Sequence, residues 1–166
     1  MAKNKNNITT NAVRMITAAK LSHEIIEYDA EGEIVDNFGE YIAEKIGGEK
    51  EQFFKTLVLK GDKNGVIVTS IPCNHELDLK KLARESGDKK VEMIHVKDLL
   101  GLTGYIRGSV SPIGMKKKYP TYLNKTALDF EQIIISGGAC GIAVKMTPED
   151  IQKMTDCKFA DIIKGE

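Results

Sequence analysis

The sequence predicts an α/β domain built on a mixed, strongly curved β-sheet flanked by helices. Three observations lead there. Strand-like apolar runs and helix-like periodic segments interleave along the 166 residues, the pattern of an α/β chain. Two pairs of runs are joined by glycine turns, Gly61-Asp62-Lys63-Asn64-Gly65 and the bend from Gly137-Gly138 to Gly141. Hairpins of that kind argue against a purely parallel, doubly wound sheet. Finally, the length suits one domain with a substantial core, and no internal repeat, low-complexity block or linker divides it.

Taken in order, Asn11 can cap a helix carrying Val13, Ile16 and Ala19, and His23 to Tyr28 reads as a short strand. After a polar turn, Asp36 or Asn37 caps a second predicted helix that runs through Lys45 to a stop at Gly47-Gly48. Phe53 to Lys60 and Val66 to Ile71 form the first hairpin. Beyond Pro72, Leu77, Leu79, Leu82 and Ala83 share one face of a helix ending near Gly87. A strand over 91–94 and a short helix over 96–100 precede an irregular stretch, and Pro120 to Leu123 is a modest strand. The apolar runs 132–136 and 142–146 form the second hairpin, Thr147 and Pro148 open a last helix, and residues 159–163 close the chain.

Composition narrows the function. With 24 basic and 24 acidic side chains, no global field draws the protein to nucleic acid or an anionic membrane, so any RNA contact is local. No DNA or membrane partner is expected. Cys73, Cys140 and Cys157 are odd in number, widely spaced and without a Cys/His ligand pattern, which points to neither a disulfide framework nor a zinc site. No metal or cofactor is expected. Residues 1–10 read as a loose polar tail and 11–166 as the folded domain. The absence of an apolar leader or a run of about 20 apolar residues predicts a soluble, cytoplasmic protein.

The candidate chemistry gathers at three places. Gly108-Ser109-Val110-Ser111-Pro112, inside a glycine-rich stretch ending in Lys116-Lys117-Lys118, reads as a stiff cradle whose backbone N–H groups approach a carbonyl or phosphate beside a basic rim. A plain Gly/Pro turn before a solvated charged face fits the same residues. Lys55 interrupts an apolar strand on the side of Phe53, Leu57 and Leu59. It lines a wet pocket, pairs with a carboxylate, meets an anion, or snorkels to water from an edge. Ser136-Gly137-Gly138 ends a buried-looking strand, and its donors complement the first loop, unless the glycines serve only a tight hairpin. His23, His75 and His95 lack a Ser or Cys partner at a recognisable spacing, so no protein nucleophile with its base is visible. Cys140 reads as a small hydrophobe rather than a reactive thiol. A lysine with oxyanion donors and no nucleophile implies positioning and electrostatics.

Phe54-Lys55-Thr56-Leu57, Leu77-Asp78-Leu79-Lys80-Lys81, Lys89-Lys90-Val91-Glu92-Met93, Thr103-Gly104-Tyr105, residues 108–114 with the lysines that follow, Ser136-Gly137-Gly138 and Phe159-Ala160-Asp161-Ile162 together resemble the YbaK/EbsC family. These are the stand-alone relatives of the editing domain inserted in bacterial prolyl-tRNA synthetases. The resemblance runs in order from about Val13 onward. It implies a curved, barrel-like mixed sheet and the hydrolytic release of a wrongly attached amino acid from tRNA, with the Cys-tRNA(Pro) deacylases as the subgroup. It further implies that Lys55 is the key active-site residue, that residues 108–112 bind the acyl end through the backbone, and that Tyr28 lies near the pocket. Lys116, Lys117, Lys118, Lys80 and Lys81 would meet tRNA phosphates, and a prolyl-tRNA synthetase is an expected partner. The chain departs from the family at Ala139 and Cys140, where relatives often carry a basic residue, and at Ala143, where some carry an acidic one. Those departures leave another small aminoacyl group such as alanine open as the one removed, and a non-catalytic aminoacyl-binding module is the alternative class.

Overall fold

The computed structural model describes residues 10–28, 44 and 49–165. The tail before Thr10, the polar turn after Tyr28 and the helix expected between Asp36 and Lys45 lie outside the described residues. The elements are α1 (Asn11–Ala18), β1 (Glu24–Glu27), β2 (Phe54–Gly61), β3 (Gly65–Pro72), α2 (Leu79–Ser86), β4 (Val91–Met93), α3 (Val96–Thr103), β5 (Thr121–Asn124), β6 (Ile133–Ala139), β7 (Ile142–Met146), α4 (Pro148–Thr155) and β8 (Lys158–Ala160).

Local chemistry sets most of these boundaries. α1 is capped by Thr10, whose hydroxyl accepts the Val13 N–H. The expected cap, Asn11, is one residue late because both residue types supply a capping oxygen. Asp78 caps α2 by accepting the N–H groups of Lys80 and Lys81, and Gly87 ends it at φ 82°, a conformation glycine takes without Cβ strain. Leu77 therefore falls outside the helix and bridges Ile163 instead. Thr147 caps α4 with Pro148 in its first turn, as the sequence indicates.

Two sheets result. β4-β2-β3-β5-β8 form a mixed five-stranded sheet, and β1-β7-β6 a three-stranded one. β2 is antiparallel to both neighbours, while β5 runs parallel to β3 and β8. The barrel-like single sheet implied by the resemblance is not what forms: among the described residues neither sheet closes on itself. The sheets touch through a parallel bridge between Phe53 and Ile134. Past it, β6 commits its ladder to β7, so no continuous pairing completes a circle. β2 is covered on both faces, by Phe54 and Val58 in a core with α1 and α4 and by Leu59 in a second core with Ile67, Ile71 and α2. Burial of each such large apolar side chain contributes about 1.5–3 kcal/mol.

The β2–β3 turn is clamped from outside the hairpin. Asp88, only 8% exposed, accepts the N–H groups of Lys63 and Asn64, both at 2.8 Å, and the Ser86 hydroxyl at 2.6 Å. Its carboxyl is held below the usual range, first by the Ser86 hydroxyl and then, against the cost of burial, by the turn amides. A depressed folded-state value means that the stabilisation is present above the unfolded-state value and is lost as pH falls through the folded one. Asp88→Asn is expected to lower the urea midpoint at pH 7, with the gap from wild type closing as pH drops below about 4. A gap that persists at pH 2 would show that charge is not what the clamp uses.

Candidate active site

Residues 108–112 are built into the protein rather than laid on it. Ser109, Val110 and Ser111 are 3%, 8% and 0% exposed, and Val110 and Ile113 belong to the main core. The loop spends some of its donors internally: Ser109 N–H and Oγ–H both go to the Ile106 carbonyl, and Ile113 N–H goes to Ser111 Oγ. The Val110 and Ser111 N–H groups have no acceptor among the described residues. Buried backbone donors are almost always paired, so two adjacent unpaired ones stand out in this loop.

The second bend meets the first. Ser136 Oγ donates to the Ser109 carbonyl at 2.9 Å, and Gly138 N–H donates to Ser136 Oγ at 3.1 Å. The two glycine segments converge, but the Gly138 donor that the sequence offers to a ligand is consumed inside the protein. β6 runs on through Gly137 and Gly138 to Ala139 with a register shift there, the bulge that brings Ser136 round to the loop.

Lys55 lies on β2, opposite Ile71 of β3. Phe53 and Ile134 share one cluster and bridge in parallel. Two residues further along each chain, Lys55 and Ser136 therefore follow the bridge on the same side. Lys55 is partly buried. Glu76 is held below its ordinary value first by its bond to Lys164, at 3.0 Å, and the Lys55 charge adds to this. Tyr28 packs on the Phe53–Ile134 cluster beside Ala143, its N–H bonds to the Gly141 carbonyl at 2.9 Å, and burial pushes its phenol up.

The lysines expected from the sequence to meet tRNA divide into two groups. Lys80 and Lys81 occupy the first turn of α2, and Lys81 is engaged by Asp161 at 3.1 Å and the Ile163 carbonyl at 2.9 Å. Lys116, Lys117 and Lys118 line a cleft with Pro112, Met15, Met115 and Met154, and Lys118 pairs with Asp156 at 2.6 Å. Lys116 and Lys117 are exposed and have no carboxylate partner among the described residues. No group of three or more metal-ligating side chains occurs among the described residues, and none of the described helices is long and apolar enough to cross a membrane.

Three residues absent from the sequence-level site support it. Thr10 Oγ1 donates to the Gly137 carbonyl and Asn11 Nδ2 to the Gly114 carbonyl. Buried Tyr105 donates its hydroxyl to the Ile113 carbonyl at 2.6 Å, with its phenol pushed up to about 12 by burial. Thr10 and Asn11 are more than 100 residues from these acceptors, and nothing in their local pattern signals the contacts.

The arrangement is a two-sheet α/β domain with a glycine loop built into its core, two of whose amides have no acceptor among the described residues. Residues 37–154 match the aminoacyl-tRNA editing domain. The chain is 48% identical, over the full length of both, to EbsC of Enterococcus faecalis, whose given name provisionally assigns it a Cys-tRNA(Pro)/Cys-tRNA(Cys) deacylase activity. A 76-residue stretch is 30% identical to part of the proline–tRNA ligase of Thermosipho melanesiensis, 46% of this chain and 13% of the ligase. A crystal structure described as a candidate trans-editing enzyme for prolyl-tRNA synthetase superposes with a TM-score of 0.80 at 25% identity, covering 95% of this chain and 99% of that one. The chain belongs to the aminoacyl-tRNA editing domain family, and its enzymatic class is aminoacyl-tRNA deacylase.

Proposed function

We propose that the protein releases cysteine from Cys-tRNA(Pro), with the substrate's own thiol as nucleophile. The observation that carries this reading is the pair of buried amides at Val110 and Ser111 without acceptors among the described residues. They suit an ester carbonyl oxygen that gains negative charge during reaction. Lys55 supplies fixed positive charge on the same side as Ser136, to the tRNA 3′ end or the developing oxyanion, and Tyr28 packs beside Phe53 at the edge of that space.

An aminoacyl ester is already activated, and a cysteinyl group brings a sulfur within reach of its own carbonyl. In the proposed step the sulfur bonds to the carbonyl carbon, the bond to the ribose oxygen breaks, and the thiol proton ends on that oxygen. Water then opens the cyclic thioester. The test is release of free amino acid from Cys-, Ala- and Ser-tRNA(Pro) by the native protein. Cysteine alone should be released quickly. Equal turnover of the serine ester, which replaces sulfur by oxygen, would sink the thiol step, and faster turnover of alanine would reassign the substrate.

The tRNA is held through phosphates in this reading, and the free lysines are the ones to do it. Lys116→Ala/Lys117→Ala is expected to raise KM and to flatten the slope of log affinity against log salt by roughly one per lost contact. Lys118→Ala should change both less, because Asp156 already engages that ammonium. Fluorescence titration with tRNA(Pro) at several salt concentrations measures both. Kinship to a proline–tRNA ligase segment supports prolyl-tRNA synthetase as the partner, and a fall in KM on adding the synthetase would bear this out.

A further inference from the structure

We propose that Thr10, at the head of α1, is a positioning residue of the deacylation site, acting through a hydrogen-bond relay on the amide of Val110. This rests on the reading above that Val110 N–H receives the acyl oxygen.

The relay consists of three hydrogen bonds joined through two peptide units. Thr10 Oγ1 donates to the Gly137 carbonyl at 2.5 Å while accepting the Val13 N–H at 3.1 Å, a combination a hydroxyl satisfies with its one donor and two acceptor sites. The N–H of the same peptide unit belongs to Gly138 and donates to Ser136 Oγ at 3.1 Å. A planar peptide gripped at both ends cannot rotate, and here rotation would otherwise be easy: Gly138 sits at φ +99° with another glycine before it. Ser136 Oγ, which accepts from Gly138, donates its own hydrogen bond to the Ser109 carbonyl at 2.9 Å. The Ser109 carbonyl and the Val110 N–H are again two ends of one trans peptide, so holding the oxygen sets the direction of the donor.

The geometry around the relay is tight. A Cβ on Gly138 would come within 3.0 Å of Tyr105 Cε1 and 3.2 Å of Thr10 Cβ, so that peptide has a wall on the Thr10 side. Thr10 thus has two separable roles, as helix cap by accepting and as site brace by donating. An aspartate at an N-cap keeps the first role, but an ionised carboxylate only accepts and cannot perform the second.

That difference gives the test. Thr10→Asp is expected to melt where the wild type melts but to lose roughly tenfold to a hundredfold in kcat on Cys-tRNA(Pro), with KM little changed, the scale of a misplaced reacting group. Thr10→Ser should restore kcat. The double variant Thr10→Asp/Ser136→Ala should be no slower than Ser136→Ala alone, because both cut one chain. In the free protein, amide hydrogen exchange followed by NMR should show Gly138 N–H exchanging at least tenfold faster in Thr10→Asp and at the native rate in Thr10→Ser. Native exchange at Gly138 in a folded Thr10→Asp overturns the relay, and so does native kcat. If the wild type itself releases no cysteine, the substrate reading fails instead, and the exchange measurement still judges the brace.

Discussion

Lys55→Ala is expected to reduce cysteine release from Cys-tRNA(Pro) by roughly 10²–10³, the loss typical when one group stabilising developing negative charge is removed, while the protein stays folded. The fold should survive because Lys55 is only partly buried and has no ion-pair partner within 4 Å among the described residues. Truncation deletes a solvated cation and part of a methylene stem, changes that fall within about 1 kcal/mol in the absence of a cavity. Lys55→Arg should recover little: the planar guanidinium is bulkier and spreads its charge away from the point a compact ammonium occupies. Initial rates of amino acid release with a thermal melt on the same samples decide the matter. A folded Lys55→Ala that turns over substrate at the native rate ends the assignment of this lysine.

How far the sequence foretold this site depends on the kind of contact. The strand face that Lys55 occupies was legible because alternation fixes which side a residue faces, and a charge among Phe53, Leu57 and Leu59 breaks the expected pattern. Residues 108–112 were legible as a shaped loop because Gly and Pro constrain the backbone directly. Which of their amides stay unpaired was not, since that depends on Ile106 and the Ser111 side chain. The Gly137-Gly138 bend was placed correctly but its donor misjudged: whether Gly138 N–H faces a ligand or Ser136 is decided by a bulge set in register against β7. The closed barrel failed for a related reason. Pairing between β2 and β6 is a long-range property of two segments about 80 residues apart, and local propensity does not say that it stops after one bridge. Thr10 and Asn11 act across still longer separations, 127 and 103 residues, and the sequence shows neither contact.

Gly114→Ala should be among the most destabilising single-methyl changes in the protein, and a comparison with Gly65→Ala separates its causes. Both glycines lie at positive φ, +84° and +76°, so alanine carries a similar left-handed penalty at each, about 1–2 kcal/mol. Around Gly65 nothing stands within 4 Å of the new Cβ, whereas at Gly114 it would lie 2.6 Å from the Tyr105 hydroxyl and 3.0 Å from the Ala12 backbone nitrogen. Neither neighbour can yield cheaply. Tyr105 is buried and bonded to the Ile113 carbonyl, and Ala12 sits in the first turn of α1 beside Asn11, whose amide holds the Gly114 carbonyl at 2.6 Å. Overpacking of that kind adds about 1–3 kcal/mol. At roughly 2–4 °C per kcal/mol for a chain of this size, Gly114→Ala should lower Tm by about 10 °C and Gly65→Ala by about 3–5 °C. Because the clash pushes on Tyr105 and α1, which brace residues 113–114 and the Gly137-Gly138 bend, Gly114→Ala should also lose turnover at temperatures where it remains folded, and Gly65→Ala should not. Equal melting losses in the two variants would mean that the Tyr105–Ala12 wall is soft, and with it the rigidity that the loop lends to its unpaired amides.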